Sequence, residues 1–166
     1  MIFPTIIVLL SFMAEGIISN YISMNTIIFE PLFTLISLII IYPYFHNKEK
    51  KYFILSFSTG LLYDIVYTNT FIFNAIIFLI ISYIIKKINS YISNNYVNVA
   101  IISLIIIILY RLLVYFILCL INYLNFNISS LLYSIADSLV LNMIYSIILY
   151  LLTDYISRKK HITKID

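Results

Sequence analysis

The segment KEKKYFILSFSTGLLYDIVYTNTFIFNAIIFLIISYIIKK, residues 48–87, decides how the chain is built. Two basic clusters, Lys48/Lys50/Lys51 and Lys86/Lys87, bracket an apolar run from Tyr52 to Ile85. A bilayer core ~30 Å thick is crossed by ~20 helical residues, so this run is too long for one span. Thr68-Asn69-Thr70 interrupts it and predicts two short helices of about 16 residues, each ~24 Å long. Both basic clusters then fall on the same side of the membrane.

The rest of the chain has the same character. It is 63% hydrophobic and 10% charged over 166 residues, with mean hydropathy +1.07, which leaves too little polar surface to coat a soluble globule. Two glycines, three prolines and no alternation of period two argue against a closed β-barrel. The predicted fold is an all-α polytopic membrane helical bundle in one domain, with about six transmembrane helices. Its spans are 3–21, 26–45, 52–67, 70–85, 99–120 and 131–152, with polar connections at 89–98 and 122–130 and a basic tail at 154–166. The first apolar run has no Lys or Arg before it and no small-residue cleavage pattern after it, and Pro4 sits in its first turn. It reads as a retained helix rather than a secretory signal. No internal repeat is evident.

Charge placement gives an orientation. Nine of the ten Lys/Arg residues lie in three clusters, the third being Arg158/Lys159/Lys160/Lys164. Six helices put all three on one face, which the positive-inside rule makes cytoplasmic, with both chain ends there. Five or seven helices would strand a cluster outside. The net charge of +3 therefore points to topological anchoring and contact with anionic lipid, and not to nucleic acid. Many of the 16 tyrosines sit near span ends, as interfacial aromatics do.

The remaining base and four acids fall inside predicted spans: Arg111, Glu15, Glu30, Asp64 and Asp137. Intramembrane charges are expensive and face a bundle interior, a cavity or a partner. Counted from the outer helix ends, Glu30 and Asp64 lie ~5 Å deep, Glu15 and Asp137 ~9 Å, and Arg111 ~14 Å. All five occupy the outer half. A structural ion pair of Arg111 with one acid is one reading. A polar cluster facing an outward crevice or a partner's helix is the other. Gly60 and Asp64 share a helix face at i and i+4, where a glycine allows close helix approach beside a carboxylate. Asn74 and Asn142 suit interhelical hydrogen bonds.

Other chemistry is not signalled. Cys119 stands alone, so no internal disulfide forms. His46 and His161 are isolated in basic segments with no metal-ligand spacing. Nucleophile-elbow, zinc-protease and phosphate-loop motifs are all missing. The sequence predicts no enzyme, no metal and no cofactor.

Gly60-Leu-Leu-Tyr-Asp64-Ile-Val-Tyr-Thr-Asn-Thr, followed by an apolar helix closing on Ser82-Tyr83 before Lys86, resembles the MreD family of rod shape-determining membrane proteins. Ser11-Phe12-Met13-Ala14-Glu15, and Asp137 followed by Leu141-Asn142, are similar to its Gram-positive branch. Length and layout agree over most of the chain. One departure is that the family often carries glycines in the turn and early fourth helix, where this chain has Asn69 and Phe73-Asn74. The resemblance implies a non-enzymatic role in the cell-elongation machinery of the bacterial cytoplasmic membrane, supporting rod shape and lateral peptidoglycan synthesis. It also implies partners: a single-span MreC-like protein, an MreB-like filament, and a cell-wall glycosyltransferase and transpeptidase. The partner-binding or structural polar cluster would comprise Glu15, Glu30, Gly60, Asp64, Arg111, Asp137 and Asn142. The alternative is a small-molecule-binding membrane subunit of a vitamin-type importer. Against that reading, the four alanines (14, 75, 100 and 136) make no A-x-x-x-A face, and Trp is absent.

Overall fold

Isoleucine is a mediocre helix former in water, yet the Ile-rich segments of this chain are helices. In an apolar surrounding each backbone N–H and C=O must be satisfied within its own segment, and that condition outweighs propensity. The computed structural model describes residues 2–24, 30–45, 48–91 and 95–160. They form an all-α bundle: α1 (Ile2–Met24), α2 (Phe33–Ile41), α3 (Glu49–Tyr63), α4 (Phe73–Asn89), α5 (Tyr96–Leu120) and α6 (Ile128–Lys159). A 3-10 turn, Tyr42–Tyr44, extends α2, and a π turn, Asp64–Thr68, extends α3. The expected start of the second span at Thr26, the histidines His46 and His161, and Lys164 lie outside the described residues.

Three helices are long and apolar enough to cross a membrane: Ile2–Tyr21 within α1, α5, and α6. Their outward faces carry large apolar side chains in the open, among them Leu10, Met13, Ile17, Ile101, Ile144 and Leu151. A soluble protein does not expose so continuous an apolar surface. The interior holds the shortest helix. All nine residues of α2 are buried, and with its 3-10 turn it is ~20 Å long, well short of a bilayer core. Within the described part of the expected span 26–45 the helix starts at Phe33, because Glu30-Pro31-Leu32 runs in non-helical backbone and Pro31 cannot donate to an upstream turn.

From α1 to α4, helices consecutive in the chain run antiparallel. Phe3 meets Tyr44 ring to ring, Tyr42 and Phe45 meet Tyr52, and Lys86 bonds Glu49 at 2.6 Å. These contacts gather the start of α1, the end of α2, the start of α3 and the end of α4 at one end of the bundle. That end carries Lys48, Lys50, Lys51, Lys86 and Lys87, and the hydrogen bond from Lys86 to Glu49 holds the lysine pKa above its ordinary value. The reversal at 121–127 sends α6 back toward the same end with Arg158, Lys159 and Lys160 at its close.

Inside a bilayer, helix association gains nothing from burying one apolar face against another, since lipid is equally apolar; close packing and interhelical hydrogen bonds hold the bundle instead. The α3–α4 seam follows that rule. Tyr52, Ser56, Gly60 and Asp64 recur every four residues on one buried stripe of α3. Ser56 donates to the Phe78 carbonyl (3.0 Å) and pairs with the Ser82 hydroxyl. A Cβ on Gly60 would lie 2.5 Å from the Ala75 Cα, so the two backbones touch there. On α6, Ser138, Asn142 and Ser146 form a similar four-residue stripe, fully buried. Tyr145 beside it stacks on Phe33 and donates to the Ser11 hydroxyl at 2.7 Å, tying α6 to α2 and α1.

Candidate functional site

The end of the bundle opposite the lysines is where the intramembrane polar residues collect, and the reason lies in two helix starts. The first N–H groups of any helix have no intrahelical acceptor. Both α2 and α4 begin inside the protein, after the apolar cap residues Leu32 and Ile72, which offer no side-chain acceptor. The preceding helix supplies a carboxylate instead. Glu15 on α1 accepts the Thr34 N–H (2.8 Å) and hydroxyl (2.6 Å) through one oxygen, and the Tyr63 hydroxyl (2.8 Å) through the other. Asp64 accepts the Asn74 N–H (2.9 Å), the Asn74 side-chain amide (3.0 Å) and the Thr70 hydroxyl (2.5 Å) at Oδ1, and the Ala75 N–H (3.1 Å) at Oδ2. Negative charge at a helix N-terminus is favourable, and each acid meets that end of a helix.

Asn142 completes the seat of α2. Its Oδ1 accepts the Leu32 N–H at 2.7 Å, and its Nδ2 donates to the Glu30 carbonyl at 2.8 Å. The non-helical Glu30-Pro31-Leu32 segment thus has its backbone satisfied from α6. Tyr110 on α5 donates to Asn74 Oδ1 at 3.0 Å, which joins α5 to the Asp64 network. Arg111, one residue on, forms an ion pair with Glu30. The Arg111 side chain is 13% exposed and that of Glu30 55%.

Between these elements opens a crevice of about 540 Å³, whose walls include Glu15, Glu30, Tyr63, Tyr67, Tyr110 and Arg111. Three of the sequence-predicted residues, Glu15, Glu30 and Arg111, therefore meet at one opening. Gly60, Asp64 and Asn142 do not line it; they are buried one layer behind, turned toward α4 or α2. Asp137 stands apart from the cluster, partly exposed on α6, with no hydrogen bond or ion pair to the described residues. Thr34, Tyr63 and Tyr110 were not legible as members of the site: an uncharged hydroxyl in an apolar helix carries little sequence signal.

The turn between α3 and α4 contains two left-handed residues, Asn69 (φ 50°) and Ile72 (φ 63°). Asparagine tolerates that region, whereas a β-branched residue in it is strained. Glycine at position 72 would relieve that strain. The Asp64 bonds to Thr70, Asn74 and Ala75 on either side of Ile72 hold the turn in place.

No curated protein and no solved structure matches the chain. A family model described as rod shape-determining protein MreD matches residues 1–160, spanning every described helix and the residues around the crevice. The chain belongs to the MreD family of rod shape-determining membrane proteins.

Proposed function

We propose that the chain is a non-enzymatic scaffold of the cell-elongation machinery in the bacterial cytoplasmic membrane. It would dock an MreC-like single-span protein and, with it, an MreB-like filament and the glycosyltransferase and transpeptidase of lateral wall synthesis. The observation that carries this reading is the family match over residues 1–160. The chemistry of the acids agrees with it: Glu15 and Asp64 serve as acceptors for helix N-termini, a structural duty that occupies the oxygens a catalytic acid would need free. The multi-pass arrangement, with Lys48–Lys51, Lys86/Lys87, Arg158–Lys160 and both chain ends on the cytoplasmic side, rests on the gathering of those charges at one end of the bundle. The crevice then opens outward. Co-purification from membranes tests the scaffold: an MreC-like protein should be retained by the tagged chain through detergent extraction. Recovery of the chain without it, from cells that make both, would remove the docking claim.

The crevice also suits the second reading, a small-molecule-binding subunit of a vitamin-type importer. Saturable thermal stabilisation of the purified chain by a vitamin would favour it.

A further inference from the structure

Of the acids in the apolar segments, Asp137 alone is left unused by the bundle. Glu15 and Asp64 accept from helix starts and Glu30 pairs with Arg111, whereas Asp137 has no hydrogen bond or ion pair among the described residues. It stands about ten residues into α6, ~14 Å from the helix start, between Leu131 and Leu132 on one side and Leu139 and Leu141 on the other. A carboxylate set among apolar residues within a bilayer is costly and is normally found paired.

The surface around it has the form of a seat for one more helix. Tyr133, Asp137, Val140, Ile144, Ile147 and Leu151 follow one another at alternating intervals of four and three residues. Asp137 is partly exposed and the other five are exposed. That alternation is the seam along which two helices interlock, and here it runs ~27 Å, close to the thickness of a bilayer core. Of the three long apolar helices, α6 is the least covered by the rest of the bundle. Its buried stripe, Ser138, Asn142 and Ser146, lies on the other side. An apolar seam alone is at home in lipid; a carboxylate within it is not.

We propose that this face of α6 docks a transmembrane helix of another protein, one that carries a Lys or Arg within about one helical turn of the depth of Asp137. The inference rests on the scaffold reading and describes its partner by chemistry. Charge selects the occupant. A base neutralises the carboxylate as a hydroxyl or amide does not. A second copy of this chain cannot supply it: Arg111, the one base in the predicted spans, is paired with Glu30 and its side chain is only 13% exposed. Two copies paired symmetrically through α6 would set Asp137 against Asp137, and such like-charge contacts are unfavourable.

The test is photo-crosslinking in living cells, with benzoylphenylalanine at residue 140 or 144 of the full chain and the crosslinked peptides sequenced by mass spectrometry. The expected product is one protein, joined through a transmembrane helix that carries a Lys or Arg at the matching depth. Asp137→Asn should lower its yield about threefold, the scale of one interhelical hydrogen bond in a bilayer. Asp137→Lys should lower it by at least about tenfold, because it sets like charges together. Changing the partner's base to Asp in the Asp137→Lys background should restore most of the yield. Asp137 bonds nothing in the fold, so both variants should unfold in SDS like the wild type. If Asp137→Lys does not, the near-isosteric Asp137→Asn carries the test. Five results overturn the proposal: no protein is crosslinked, the product is a second copy of this chain, the crosslinked helix has no base at that depth, a well-folded Asp137 variant crosslinks like the wild type, or the exchanged charges restore nothing. An MreC-like protein that co-purifies while α6 stays uncovered would leave the scaffold standing and remove this face. A basic helix of a different protein on α6 would do the reverse.

Discussion

Removing the Asp64 carboxylate should unseat α4. In Asp64→Ala, the Asn74 and Ala75 N–H groups lose their acceptor, and the side chains of Asn74 and Thr70 lose theirs. Interhelical hydrogen bonds inside bilayers average ~0.6 kcal/mol, and a charged acceptor roughly doubles that. Four such bonds amount to about 2–5 kcal/mol. Part returns because Asn74 keeps a bond to the Thr68 hydroxyl (3.1 Å). Asp64→Asn separates the contributions. An amide retains one oxygen for the Asn74 bonds but turns an N–H toward the Ala75 N–H, so it should lose about half as much. The assay is reversible unfolding in mixed micelles as the SDS fraction rises, with both variants compared at matched protein concentration. Asp64→Ala within about 0.5 kcal/mol of wild type would refute the capping account.

Gly60 and Gly16 should respond differently to alanine. The new methyl at residue 60 meets the Ala75 and Asn74 backbone at 2.5–2.9 Å, and should cost about 1–3 kcal/mol, whereas at residue 16 it meets the tip of Tyr67, which can turn aside. The same SDS titration measures both, and equal losses would contradict the backbone contact at the α3–α4 seam. Asn142→Leu removes the acceptor of the Leu32 N–H and the donor to the Glu30 carbonyl, and should cost about 1–3 kcal/mol. Amide hydrogen exchange should speed up at residues 32–36 and stay unchanged in α5; uniform exchange across both would count against a local seat for α2.

Much of the architecture was legible because charge and hydropathy report it directly. The basic clusters around 48–51 and 86–87 mark a helical pair, and Gly60 with Asp64 marks its seam. The full stripe was also there to be read, since Tyr52, Ser56, Gly60 and Asp64 repeat every four residues. What the sequence concealed was depth. Residues 26–45 form an apolar run of span length, and hydropathy cannot tell a helix that crosses the membrane from one that starts inside the bundle. Pro31 was the local clue, and the described helix begins two residues after it. The partners of the acids were hidden for a related reason. Charges at similar depth suggested one cluster, but the donors proved to be backbone N–H groups at helix starts. Such groups exist at every residue and become available only where a helix begins in the interior. Asp137 stays outside the cluster: among the described residues no helix-start N–H bonds to it.

The geometry also orders the roles of the polar residues. Asp64, Gly60 and Asn142 hold helices in place from behind the crevice, and Glu15 links its wall to the start of α2. Arg111 and Glu30 are the charged pair that faces the opening. Substitutions in the first group should act through folding and lower the amount of protein in the membrane. Those in the second should leave the bundle assembled.

The role in shape is tested most directly by measuring cell width after depletion of the chain in a bacterium with no second copy. Cells should widen and round as the protein is diluted by growth, and re-expression of the wild-type chain should restore the original width. Rods of unchanged width after the protein has fallen below detection would contradict the account.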